Sequence, residues 1–160
     1  MDKKLIKSAI EKLELLNVLV DALEFKRNKE IEIFEYPKNI QQQNLLSINS
    51  EVIDFKAAKD GDFSILRVYV TTGVRAVDDV EKSDDDIKVF FTIEATHSVD
   101  YSLKSELTDE EITEFSKFNS VHNVWPFWRQ YVFQVVSSAG LPNINVPLMR
   151  GMNVKEAKEK

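Results

Sequence analysis

From Asn123 to Leu148 the chain carries one sharply punctuated apolar helix, and that helix needs more cover than a single small sheet can give. Val124-Trp125-Pro126-Phe127-Trp128-Arg129 opens it. Proline is tolerated in a first helical turn, where the N–H it lacks would have no partner, so the spacing predicts a helix start here with Ser120 or Asn123 as N-cap. Gly140 suits a left-handed C-terminal cap and Pro142 cannot continue a helix, which predicts an end near Ala139. Between those limits Val124, Trp128, Tyr131, Val132, Val135 and Val136 recur at helical spacing, while Trp125, Phe127 and Phe133 carry apolar surface further around the cylinder. Either a larger core of the same chain or a second subunit must cover the remainder.

The rest of the composition narrows the class. With 160 residues, 43% hydrophobic, the chain is long enough to bury one core without staples. It contains no cysteine, which excludes a disulfide framework and thiol chemistry and fits a reducing compartment. Met1 to Lys12 interleaves charge with apolar residues and no apolar run reaches spanning length, so the expected location is the cytoplasm, without membrane insertion. A net charge of -6 argues against nucleic acid as a partner. His97 and His122 lack a metal-ligand spacing and read as ordinary surface or hydrogen-bonded histidines. Asp84-Asp85-Asp86 lacks the glycine and distal glutamate of a calcium loop. With no phosphate-binding glycine loop and no Gly-x-Ser-x-Gly, neither an enzyme nor a cofactor or metal is expected.

Along the chain, Leu5, Ile6, Ala9, Ile10, Leu13 and Leu16 share one face of a helix predicted over 3–16. The period then changes to two across Asn17 to Arg27, predicting a strand. Lys26 to Gln43 is polar and long for a passive connection, yet contains Phe34, Tyr36 and Pro37. Strands are expected over 45–58 and 63–74 around a hairpin at Lys59-Asp60-Gly61-Asp62, with another over 87–103. Thr108 and Glu111 have the spacing of a capping box opening a short helix. Leu66, Val68, Val70 and Val74 form one apolar strand face, and Val89, Phe91, Ile93 and Ala95 form another. Phe63, Ile65, Tyr69 and Phe90 leave the opposite face only partly polar, which calls for cover or for binding.

In this order, Trp125-Pro126-Phe127 with Arg129, then Gly140, Leu141-Pro142, Asn145 and Pro147, resemble the SecB export chaperones. Phe91, Glu94 and Tyr101-Ser102-Leu103 look like that family's strand before the helices, and Phe63 to Thr72 looks like the strand before that. The resemblance spans 17–149. It implies an α+β protomer, a four-stranded antiparallel sheet with a long C-terminal helix packed on it. Protomers of that family pair through strands into dimers, and through the long helix into a dimer of dimers. Such proteins hold unfolded polypeptides without nucleotide and deliver preproteins to the SecA motor. The chain then divides into an added N-terminal helix (1–16), a SecB-like domain (17–150) and a charged tail (151–160), with the family's second C-terminal helix short or missing.

The candidate sites follow from both readings. Phe34 and Tyr36, stranded in a polar connection, are client-binding candidates. So are Leu141, Ile144, Val146, Leu148, Met149 and Met152, a proline-spaced apolar run whose methionines adapt to unlike sequences. Trp125, Phe127, Trp128 and Tyr131 are the oligomer-interface candidates. Glu94, and Asp21 in the first strand, are the acidic positions that the resemblance assigns to SecA contact. Three functions stand at this point: an ATP-independent holdase, an oligomeric adaptor or dedicated chaperone for one partner such as an antitoxin, and a small-ligand carrier.

Overall fold

Leu13 is where the helical and extended readings of the N-terminus part. The structure, a computed structural model, describes residues 1–38, 40–56, 61–83 and 85–146. Helix α1 (Lys3–Lys12) is capped by Asp2, whose Oδ1 accepts from the Lys4 and Leu5 N–H groups at 2.8 and 3.3 Å. It stops at Lys12, and β1 (Leu13–Arg27) begins at once, so the helix expected to reach Leu16 is four residues shorter. The Lys104 N–H donates to the Lys12 carbonyl at 2.8 Å. Backbone pairing therefore captures a segment whose leucines suit a strand as well as a helix, and tertiary context overrides propensity.

Strands β2 (Gln41–Phe55), β3 (Phe63–Val77) and β4 (Val89–Leu103) complete a four-stranded antiparallel sheet in the order β1-β4-β3-β2. The connection from β1 to β2 thus joins one sheet edge to the other, which explains its length. Gly61 sits at φ 81°, a left-handed conformation glycine tolerates, just before β3. Asp60 of the expected hairpin turn and Asp84 of the acidic loop lie outside the described residues.

The capping box forms as spaced: Thr108 Oγ1 accepts from the Glu111 N–H at 3.2 Å and the Glu111 carboxylate accepts from the Thr108 N–H at 2.9 Å. It opens α2 (Asp109–Phe115), which runs through a π-helical turn (Ser116–Ser120) directly into α3 (Val121–Ser138). Pro126 is therefore inside a helix, not at its start, and neither Ser120 nor Asn123 is an N-cap. Both hydroxyl-bearing and amide side chains instead hold Tyr101, whose hydroxyl donates to Ser120 Oγ at 3.1 Å and accepts from Asn123 Nδ2 at 2.9 Å. The carbonyl that Pro126 leaves without an N–H belongs to His122, and both residues are exposed, so water can satisfy it. Gly140 at φ 63° ends the helix, with the Leu141 N–H donating to the Val136 carbonyl at 3.0 Å, in agreement with the expected terminus.

Contacts group the chain into two units, to both of which every strand contributes. The first comprises Met1–Asp21, Ser47–Val70 and Thr96–Trp125; its buried side chains include Leu66, Val68, Val99, Tyr101, Phe115 and Val124. His97 is buried there too, so it is not a surface histidine. Glu111 anchors α1 in this unit, accepting from Lys12 Nζ at 2.8 Å and from Ser8 Oγ at 2.5 Å. The second comprises Ala22–Leu46, Thr71–Ala95 and Pro126–Lys160, with Val74, Phe91, Ile93, Trp128, Val132 and Leu141 buried. Every residue of the two expected apolar strand faces is buried except Val89, which is half-buried.

Candidate functional site

The connection between β1 and β2 is tied down on both sides of an exposed apex. At its start the Asn28 N–H donates to the Phe90 carbonyl at 2.9 Å, and Ile31 is buried. At its far side the Tyr36 ring meets Phe90 edge-on, with centroids 5.5 Å apart, and lies 6.2 Å from Phe91. That burial raises the Tyr36 phenol above its usual pKa. Between the anchors a 3-10 turn (Ile33–Glu35), closed by reciprocal Glu32 and Glu35 bonds, leaves Phe34 86% exposed. The two aromatic candidates thus separate: Tyr36 docks the loop and Phe34 is held out from it.

The segment after α3 packs one side and presents the other. Leu141 is buried and Ile144 and Val146 are half-buried, whereas Asn143 and Asn145 are exposed. Gln42, near the start of β2, reaches this segment with both ends of its side-chain amide. Nε2 donates to the Asn145 carbonyl at 2.8 Å and Oε1 accepts from the Asn145 N–H at 3.2 Å. Leu148, Met149 and Met152 lie outside the described residues, as do Pro147 of the motif and the tail 151–160.

The acidic candidates sit in different surroundings. Asp21 accepts from Ser98 Oγ at 3.0 Å, a tie that already engages its carboxylate. Glu94 lines a shallow cleft of about 280 Å³ together with Gln43, Leu45, Gly73, Thr92 and Arg75. A Cβ added at Gly73 would stand 3.1 Å from the Glu94 side chain, so a glycine there makes room for it. Elsewhere on the sheet Arg67 grips Asp100 at 2.7 and 2.8 Å, a two-pronged pair, and Tyr69 donates to Glu51 at 2.9 Å. Among the described residues no group of three or more histidine, aspartate or glutamate side chains could hold a metal ion.

On α3, Trp125 and Trp128 are buried within the chain, Tyr131 is half-buried beside Trp128, and Phe127 and Phe133 are 50% and 72% exposed. Burial removes both tryptophans from the surface a partner can reach, leaving Phe127 and Phe133. Sequence reasoning missed a long run of exposed apolar surface: Leu15, Leu16, Leu19, Val20, Leu23 and Phe25 are exposed along β1. The signal was present in apolar residues at both odd and even positions of one strand, which no single covered face explains. Gln42 was also missed, since nothing local marks a glutamine that will meet a main chain 103 residues away.

A four-stranded antiparallel sheet with an edge-to-edge connection, an N-terminal helix and a long C-terminal helix is the SecB-like fold. Among solved structures the chain is similar to the SecB-like chaperone of Mycobacterium tuberculosis, in complex with a ChAD peptide from the HigA1 antitoxin. The TM-score is 0.63 at 12% identity, covering 92% of this chain and 97% of the other. No family model and no curated sequence matches the chain. No helix among the described residues is long and apolar enough to cross a membrane.

Proposed function

We propose that the protein is an ATP-independent chaperone that holds non-native polypeptides. The observation that carries this reading is Phe34: a large apolar side chain kept in solvent on a loop anchored at Asn28, Ile31 and Tyr36. Anchoring lowers the ordering cost a loop would otherwise incur on binding, and an exposed aromatic on such a loop serves capture better than packing. Ile144 and Val146 extend the client surface once their segment leaves Gln42, with Leu148, Met149 and Met152 added from the sequence, while buried Leu141 anchors that segment and Tyr36 positions the loop. The likeness of fold to a SecB-like chaperone solved with an antitoxin peptide supports polypeptide binding.

The same likeness favours a second reading, a chaperone dedicated to one partner such as an antitoxin. In either case the protein works as a cytoplasmic dimer of dimers, pairing along β1 and through Phe127 and Phe133 of α3. Effective concentration then turns modest local contacts into useful holding, by roughly 10² to 10⁴. Delivery to SecA would draw on Glu94 and Asp21, and Glu94→Lys should lower SecA affinity in calorimetry without altering client holding.

Light scattering tests the general reading. At near-stoichiometric ratio the protein is expected to slow aggregation of several unrelated, chemically denatured proteins, and added ATP is expected to change nothing. Protection of one partner alone would select the dedicated chaperone. Protection of none, by a protein that remains folded, would remove both.

A further inference from the structure

We infer that the Gln42 side-chain amide is a docking point for the main chain of an extended polypeptide, and that the segment 143–146, beyond buried Leu141, occupies it until a client displaces it. The inference rests on the holding function proposed above. A primary amide that donates to a carbonyl and accepts from the N–H of the same residue reproduces the two bonds of a strand pair. Neither bond involves the side chain of Asn145. Recognition of this kind ignores sequence, which is what a binder of unlike polypeptides requires and what apolar pockets alone do not provide.

Three further features support it. The amide orientation of Gln42 is set from within β2, because Nε2 also donates to Asn44 Oδ1 at 3.3 Å. The docking point is therefore formed by the strand and keeps its direction without the segment. The segment, for its part, is built like a client. It has no regular secondary structure, Pro142 before it donates no N–H, and half-buried Ile144 and Val146 alternate with exposed Asn143 and Asn145, the alternation of a strand. Beyond the helix-ending bond at Leu141, its described main chain is held by Gln42. Both bonds lie at solvent-exposed positions, so water can replace them readily and the segment is displaceable.

Substitutions on the two sides of the clasp separate the roles. Asn145→Pro deletes the N–H that the segment offers and leaves Gln42 intact; Gln42→Glu keeps an acceptor but sets a carboxylate against the carbonyl. The probes are fluorescein-labelled unfolded peptides of unrelated sequence, titrated by anisotropy against the full-length protein. Asn145→Pro is expected to tighten binding about threefold or more by removing the competitor, and Gln42→Glu to weaken it by about three- to tenfold across all the peptides. The side-chain amide protons of Gln42 should shift in NMR spectra on saturation with any of them. Unaltered affinity in both variants, with the Gln42 resonances unmoved while wild type binds the peptides, would overturn the docking point and leave the holding function standing. Failure of wild type to bind any peptide would overturn both.

Discussion

Glu111 serves two purposes that lie far apart in the sequence. Its spacing from Thr108 made the capping box legible, but its bonds to Ser8 and Lys12 join residues 103 and 99 positions away, and no local pattern announces them. With Lys12, Ser8 and the Thr108 N–H all donating, the carboxyl is held down to about 2. Glu111→Ala should cost roughly 2 kcal/mol, below the range for a fully buried pair because the Lys12 side chain is 27% exposed. Acid should act in two windows. The Glu111 contribution is complete above the unfolded value of 4.5 and is lost as pH falls toward 2. Burial pushes His97 below its usual 6.5, against the pull of Asp21, so its contribution is lost earlier, as pH drops from 6.5. Melting temperature measured against pH should therefore show two declines, the upper flattened in His97→Gln and the lower in Glu111→Gln. A single decline unaffected by either variant would contradict these assignments.

At the scale of elements, periodicity named every strand and the long C-terminal helix, the capping box named the short helix before it, and the reading erred where two elements compete for the same residues. Leu13 to Leu16 satisfy helical spacing and strand composition equally, and the bond from Lys104 to Lys12 decides for the strand. Pro126 misled for a related reason. Read locally, it marks a first turn; in the chain, α2 and the π-helical turn have already supplied the helix that α3 continues. Pro126→Ala would restore an N–H for the His122 carbonyl. With that carbonyl solvated, the gain is expected to be about 1 kcal/mol, far less than a buried proline would release. Differential scanning calorimetry would register it as a rise of roughly 2–4 °C. A fall in melting temperature would mean instead that the helix is built around the proline and that packing near it depends on the ring.

For the whole molecule, the question is what covers the surface that one chain leaves bare. Residue alternation had pointed to cover on the second sheet face near β3 and β4; there the chain itself buries Ile65 and Phe90 and pairs Arg67 with Asp100, while Phe63 stays exposed. Apart from Phe34, most of the uncovered apolar surface lies along the edge strand β1 and on α3, with Val52, Phe55 and Phe63 adding to it on β2 and β3. An exposed apolar edge strand is a hazard that a protein with a net charge of -6 does not offset by charge alone, and closed symmetric pairing removes it. Two distinct bare surfaces allow two distinct interfaces, the condition for a dimer of dimers. The proposed assembly is then separable by mutation. Phe133→Asp should dissociate contacts through α3, and Leu19→Lys with Leu23→Lys should dissociate contacts along β1; each acts on exposed side chains, so the fold should survive by circular dichroism. Sedimentation velocity is expected to give a tetramer for wild type, dimers for either variant and monomers for the combination. Monomeric wild type at micromolar concentration would defeat the assembly, and dissociation of the tetramer straight to monomers by Phe133→Asp would show that the two surfaces form one interface.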